Sequence, residues 1–135
     1  MKDKETEPET PVAAEEDPVV IYAYTRADAL ADGVLVDVSE WASPREMLAG
    51  FSIPVAFTHA VWALVEAPPG SCQDTRGRAH DVLTLARFAV ARGQGRPGRL
   101  PFTVRIGRRN VELVIELHPG DSGEPVATIM LAHED

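Results

Sequence analysis

The fold of this protein is decided by residues 78–92, which read RAHDVLTLARFAVAR. Apolar residues recur there at i, i+3, i+4 and i+7, the spacing that places side chains on one face of a helix. The pattern predicts the main helix of the chain, which begins near Arg76 or Arg78 and ends at Arg92. Gly93 then serves as its C-terminal cap. The apolar face comprises Val82, Leu85, Ala86 and Ala89.

Beyond this helix, apolar and polar residues alternate in three segments, which are 100–106, 111–118 and 125–132. Alternation of this kind is typical of strands that bury one face. Residues 107–110 and 119–123 hold the glycine, asparagine, aspartate and proline that favour turns. The chain therefore predicts a C-terminal three-stranded antiparallel meander packed against the main helix.

The first half of the chain predicts shorter elements. Thr25 and Asp28 form a capping-box pattern for a helix over 26–31, and Gly33 is its expected left-handed end. Ser43, followed by proline and two charged residues, predicts a second short helix that ends at Gly50. Further strands are expected at 19–24, 34–38 and 53–57, and a helix at 59–66. The fold class is α+β, with residues 18–135 forming one domain.

Composition excludes several classes of protein. The chain has 135 residues, a net charge of −8, 44% hydrophobic residues and one cysteine, which suits a single small domain without a disulfide framework. No apolar run approaches the roughly 20 residues of a membrane span, and the polar N-terminus is not a signal peptide. We expect a cytoplasmic protein that does not bind membranes. Residues 1–17 hold seven acidic residues and two lysines, which predicts a disordered acidic tail.

The negative net charge conceals a basic centre, because residues 71–109 hold nine arginines against two aspartates. Five of these arginines lie in the last part of that segment and could follow a nucleic-acid backbone. They could equally pair with Glu112, Glu116 and Glu124 on neighbouring strands. The five are Arg96, Arg99, Arg105, Arg108 and Arg109.

The densest polar cluster lies at the start of the main helix. A helix N-terminus with two arginines could hold a phosphate or carboxylate, or could be an ordinary capped junction. With His59, the same cluster could serve a hydrolase or transferase. The cluster comprises Asp74, Arg76, Arg78, His80 and Asp81. The four histidines and Cys72 match no metal-ligand spacing, and no phosphate-binding glycine loop occurs, so the sequence implies no metal and no cofactor.

Residues 120–125 read GDSGEP and resemble the segment around the nucleophile of trypsin-like serine proteases, which would make Ser122 the nucleophile. Glu124 replaces a glycine of that motif, and 135 residues are too few for the double barrel of those enzymes. The segment is therefore interpreted as a turn between strands. Of the two tryptophans, Trp62 is expected in the core and Trp41 on a binding surface.

Residues 19–135 resemble an uncharacterised family, a domain of unknown function, of small bacterial proteins carried on plasmids and phages. The segments that carry the resemblance are ADGVLVDV (31–38), PVAFT (54–58) and GDSGEPV (120–126). The resemblance offers no catalytic residues and implies a mobile-element setting, in which small acidic proteins often block host defence complexes by binding them.

The first hypothesis is therefore a non-enzymatic protein that binds a host protein or nucleoprotein complex, such as a CRISPR system. It would present Asp32, Asp37, Glu40 and the acidic tail to a basic surface of the partner.

Overall fold

The structure is a computed structural model that describes residues 23–48, 50–70 and 74–134. The helices are α1 (Arg26–Asp32), α2 (Ser39–Ala42), α3 (His59–Val65) and α4 (Thr75–Arg92). The strands are β1 (Leu35–Asp37), β2 (Val55–Thr58), β3 (Gly98–Ile106), β4 (Arg109–Pro119) and β5 (Pro125–Leu131). The predicted α+β class is confirmed. The predicted tail at 1–17, most of the predicted strand at 19–24, and Cys72 lie outside the described residues.

All five strands form one sheet in the order β1-β2-β5-β4-β3. The expected meander of β3, β4 and β5 is confirmed, with Phe102 opposite Leu113 and Ile115 opposite Ile129. Strand β5 also pairs in parallel with β2, which pairs in turn with β1. The two strands of the first half of the chain therefore extend the meander into a five-stranded sheet.

The core lies between one face of this sheet and helices α3 and α4. Leu83 of α4, Leu113 and Ile115 of β4 and Ile129 of β5 are fully buried there. The predicted apolar face of α4 supplies much of this contact, mainly against β3. Burial of such side chains is worth about 1.5–3 kcal/mol each, so this layer dominates the stability of the fold.

Strand β5 is buried along most of its length, with Val126 to Met130 all at 6% exposure or less. Ala127 and Ile129 belong to the core, so alternation turns Val126, Thr128 and Met130 to the other face of the sheet. Because β5 is buried on both faces, a polar side chain on this strand needs a hydrogen-bond partner within the protein. Thr128 is such a residue, and its partners are described below.

The short helix predicted from Ser43 to Gly50 is wrong. The helical turn lies earlier, in α2, and Ser43 is its C-terminal cap. The amide N–H of Phe51 donates to the carbonyl oxygen of Ala42 at 2.7 Å, which closes residues 43–50 into a loop. A Cβ atom on Gly50 would lie 2.5 Å from the backbone of Ser43 and Pro44, so the two ends of the loop touch. A straight helix is incompatible with this closure.

The other boundaries differ by small amounts. Thr25 and Asp28 form the predicted capping box, and Gly33 ends α1 with a φ of 80°. Helix α4 begins at Thr75, slightly before the predicted start, because the Asp74 side chain accepts the N–H of Gly77 at 2.6 Å. Strands β3 and β4 each extend one or two residues beyond their predicted limits, since their ladder continues to Gly98–Leu117 and Ile106–Arg109.

Candidate functional site

Helix α2 is fixed to the edge of the sheet by its first residue. The Ser39 hydroxyl accepts the amide N–H of Val55 at 2.9 Å, and the Asp37 carboxylate accepts the N–H of Ser39 at 2.9 Å. The amide of Val38 donates to the carbonyl oxygen of Val55 at 3.0 Å. These bonds hold the single helical turn that carries Trp41, so its ring has a defined position.

The ring of Trp41 packs against Trp62, which lies on α3. The ring centroids are 6.2 Å apart and the planes are tilted by 33°. The guanidinium carbon of Arg76, on α4, lies 5.6 Å from the Trp41 centroid, within the range of a cation–π contact. The same guanidinium forms an ion pair with Glu46 from the closed loop. Three helices and one loop thus meet around Trp41.

We call this group the tryptophan surface. Both indole rings are only partly buried, and Arg76 is exposed. Leu48, two residues beyond Glu46 in the same loop, is fully exposed at 105%. An exposed ion pair such as Arg76–Glu46 contributes about 0–1 kcal/mol to the free energy of unfolding. This contribution is too small to explain why these side chains are grouped. The tryptophan surface comprises Trp41, Glu46, Leu48, Trp62 and Arg76.

The three predicted carboxylates flank the edge strand β1, but two of them have contacts inside the protein. Asp32 accepts the Tyr24 hydroxyl at 2.8 Å, and Asp37 accepts the amide N–H of Ser39 at 2.9 Å. Glu40 is exposed on α2, beside Trp41 in the chain. The structure therefore places Glu40, and less so Asp32 and Asp37, where a partner could reach a free carboxylate.

The carboxylate and imidazole side chains of the predicted enzyme cluster make no hydrogen bonds with one another in the described chain. The Asp74 carboxylate caps α4, while His80 and Asp81 are exposed on that helix without a hydrogen bond to each other or to Asp74. His59 is exposed at the start of α3. Within residues 23–48, 50–70 and 74–134, no three His, Cys, Asp or Glu side chains lie close enough to hold a metal ion.

The serine of the GDSGEP segment lies in a turn, as expected. The amide of Gly120 donates to the carbonyl oxygen of Glu124, and the amide of Gly123 donates back to Gly120. The Ser122 amide donates to the Glu124 carboxylate at 2.9 Å. Glu124, which replaces a glycine of the protease motif, therefore stabilises the turn by accepting hydrogen bonds from its amides.

The structure brings the two predicted basic groups together. A Cβ atom on Gly107, in the β3–β4 turn, would lie 3.9 Å from Arg78 Nη2 at the start of α4. His80, Asp81 and Arg105 line one small cavity of about 340 Å³ between α4 and β3. We call Arg78, Arg105, Arg108 and Arg109 the basic end of the protein.

The alternative of internal pairing is confirmed for one arginine. Arg99 lies opposite Glu116 in the ladder, with 3.5 Å between its Nε and the carboxylate oxygen. Arg105, Arg108 and Arg109 make no ion pair with any residue that the structure describes.

Thr128 is the centre of a network that the sequence did not reveal. Its Oγ1 accepts Arg26 Nη1 at 2.7 Å and lies 2.8 Å from His118 Nε2, while Arg26 Nη2 donates to the carbonyl oxygen of Ala127 at 2.9 Å. Half-burial lowers the pKa of Arg26, while the negative charge of Asp37 acts in the opposite direction. No local pattern signals this network, because Arg26 and Thr128 are 102 residues apart.

The fold and the tryptophan surface define a small α+β protein with an exposed aromatic patch. Over residues 13–90, more than half of its length, the chain matches a family of unknown function, DUF6573, and it belongs to that family. The match includes the tryptophan surface and ends within α4, before β3. No curated protein and no solved structure matches the chain. Among the described residues, no helix is long and apolar enough to cross a membrane.

Proposed function

We propose that this protein is a non-enzymatic binding protein of a mobile genetic element, active in the cytoplasm, and that the tryptophan surface docks on a protein partner. The observation that carries the proposal is the grouping of two partly exposed tryptophans with an exposed arginine, next to the loop that carries Glu46 and the fully exposed Leu48. Tryptophan and arginine dominate the energetic centres of protein interfaces, because each buries a large area and also offers polar contacts.

The neighbouring charges fit the same role. Glu40 and Glu46 are exposed beside Trp41 and Leu48, so the aromatic centre has an acidic border. Charged residues at the border of an interface steer association and select partners by charge. The preferred partner surface is apolar at its centre and basic around it.

Affinity capture from host lysate with matched variants tests this proposal. We expect the wild-type chain to retain a partner that Leu48→Ala and Trp41→Ala lose, with affinity for the purified partner falling at least tenfold for Trp41→Ala. Phe88→Ala is the control, because Phe88 is 51% exposed on α4 outside the tryptophan surface. Equal capture by all four chains would contradict the proposal.

The finer hypothesis is that the partner is a host defence complex of the CRISPR type. Its support is the resemblance to plasmid- and phage-borne proteins. Expression of the wild-type chain should restore plaque formation by a targeted phage, and Leu48→Ala should abolish the effect. Unchanged interference in the presence of the wild-type chain would reject this target and leave the docking surface to be judged by the capture experiment.

A second candidate function is binding of nucleic acid by the basic end. The observation that favours it is that Arg105, Arg108 and Arg109 have no carboxylate partner in the described chain and lie on the hairpin whose turn residue Gly107 is close to Arg78. Arginines without partners are free to contact phosphates, whose neutralisation releases counterions.

Fluorescence anisotropy of labelled duplex DNA at several salt concentrations tests this alternative. Substitution of Arg108 and Arg109 by alanine should weaken binding and reduce the slope of log affinity against log salt by about one or two. Arg45→Ala is the control, since Arg45 is exposed in the loop at residues 43–50. Absence of binding by the wild-type chain at low salt would eliminate this function.

A further inference from the structure

One cavity of the described chain shares no lining residue with the tryptophan surface or the basic end. It has a volume of about 640 Å³ and opens between the C-terminal half of α4, residues 50–53 and the ends of β4 and β5. Small-molecule sites typically have about 300–1,000 Å³. The cavity is therefore large enough for a compact organic ligand.

The walls of this cavity are mainly apolar. Phe51, Ile53, Val90, Leu117 and Pro125 contribute to them from four parts of the fold. Such walls favour an apolar ligand body, because burying its surface removes it from water at about 25 cal/mol per Å².

Among the described residues of the lining, Arg87 is the one charged side chain and none is a carboxylate. Its side chain is half-buried, and its Nε donates to the carbonyl oxygen of Gly50 over a long 3.4 Å. The two terminal nitrogens have no protein acceptor among the described residues. A guanidinium that faces an apolar cavity with its fork free is suited to a planar, bidentate carboxylate.

The lining also holds Ser52, His118 and Gln94, and the last two make hydrogen bonds within the protein. His118 contacts the carbonyl oxygen of Pro119 through Nδ1 at 3.0 Å and Thr128 through Nε2 at 2.8 Å. The Gln94 side-chain oxygen accepts Arg96 Nη2 at 3.0 Å. Neither group competes with a ligand for Arg87, so the cavity offers one free cationic fork in an apolar setting.

Gln94 also has an unusual backbone at the rim of the cavity. Its φ is +59°, a left-handed conformation that residues other than glycine, asparagine and aspartate rarely adopt. Its N–H donates to Ala91 and that of Gly95 to Val90, so the strained turn ends α4 beside the cavity. Strained residues of this kind persist where the surrounding structure holds them.

We infer that this cavity binds a small organic monocarboxylate with an apolar body, whose carboxylate pairs with Arg87. Arg87 selects a ligand with a negative charge, and the apolar walls select a ligand with an apolar body. This site is independent of the tryptophan surface and does not rest on the proposed function.

Three probes separate the two parts of the inference when binding is measured by calorimetry. Octanoate carries both features, octan-1-ol lacks the charge, and acetate lacks the apolar body. We expect saturable octanoate binding that is at least tenfold tighter than that of either other probe. Equal affinity for octanoate and octan-1-ol would exclude a role for Arg87, and absence of saturable octanoate binding would overturn the site.

A matched pair of variants assigns the charge. Arg87→Gln should weaken octanoate binding about tenfold or more and leave octan-1-ol binding unchanged. Arg92→Gln, an exposed arginine in the last turn of the same helix and outside the cavity lining, should behave as wild type. Equal losses in both variants would contradict the inference.

Chemical-shift mapping on the unmodified protein provides a test that requires no variant to fold. Octanoate should shift the Arg87 Nε–H resonance and the amides of Gly50 and Gly95, and should leave those of Trp41 and Trp62 in place. Shifts confined to the tryptophan surface would overturn the assignment.

Discussion

The Asp121 carboxylate caps the backbone at Arg26, 95 residues earlier in the chain. Its two oxygens accept the amide N–H of Arg26 at 2.8 Å and of Ala27 at 3.0 Å, the first two residues of α1. The guanidinium of Arg26 in turn reaches β5, where it donates to Thr128. Asp121 therefore ties the β4–β5 turn to the start of α1, and the Arg26 side chain ties α1 to β5. These contacts add to the capping box that α1 forms within its own first turn.

This contact predicts a pH-dependent stability. The amide hydrogen bonds, first from Arg26 and then from Ala27, lower the pKa of Asp121. A carboxyl whose pKa is lower in the folded than in the unfolded state stabilises the fold above its ordinary pKa, and this contribution is lost as the pH falls through the folded value. In urea titrations, Asp121→Asn should be less stable than wild type near pH 7, with the difference shrinking below about pH 4. Ser122→Ala, in the same turn, should show a difference from wild type that does not change over this range.

Removal of the Arg26 side chain should destabilise the protein. Arg26→Met deletes the hydrogen bonds to Thr128 and to the Ala127 carbonyl oxygen, both at a partly buried site. Hydrogen bonds of charged groups contribute about 1.5–3 kcal/mol, so a loss of that order in the free energy of unfolding is expected. Arg45→Met, at an exposed loop position, should change it by less than about 0.5 kcal/mol. Similar values for the two variants would show that the network contributes little.

Gly50 is required by the closure of the loop at residues 43–50. A Cβ atom there would meet the backbone of Ser43 and Pro44 at 2.5 Å, and backbone cannot move aside cheaply. Gly50→Ala should lower the free energy of unfolding by about 1–3 kcal/mol, the usual cost of overpacking. In Gly93→Ala the nearest atom is the end of the Leu100 side chain at 2.8 Å, which can rotate. Thermal melting should therefore rank Gly50→Ala as the more damaging substitution.

Two leucines separate stability from surface function. Leu83 is fully buried in the core, and Leu83→Ala should cost about 2–5 kcal/mol because it removes contacts and leaves a cavity. Leu48→Ala should change stability by less than about 0.5 kcal/mol, since Leu48 is fully exposed. Denaturant unfolding measures both. A large loss for Leu48→Ala would mean that the leucine packs against the protein and is not available to a partner.

Much of the fold could be predicted from local patterns. The apolar face of α4 and the three C-terminal strands were visible, because helix and strand periodicity record which side chains are buried. The cap at Thr25 was visible from its capping-box pattern. The loop at residues 43–50 was mistaken for a helix, since Ser43 and Pro44 resemble a helix start. Only the structure shows that the segment is a loop, because the chain folds back and brings Gly50 against the backbone of Ser43 and Pro44.

The candidate sites were predictable only in part. Trp41 was proposed for a binding surface, but its neighbours Trp62, Glu46 and Arg76 come from three other elements. The cavity left one trace in the sequence: Leu83, Arg87, Val90 and Gln94 share a helical spacing, which places an arginine on the side of buried Leu83.

By itself, the sequence determined the α+β class and most of the helices, strands and turns, although not the loop at residues 43–50, because these choices depend mainly on neighbours within a few residues. The tertiary structure alone decided that β5 lies between β2 and β4, that Asp121 holds α1, and that Arg78 meets the β3–β4 turn. Each of these contacts joins residues far apart in the chain, and its geometry is set by the packing of the whole sheet, which no local periodicity encodes.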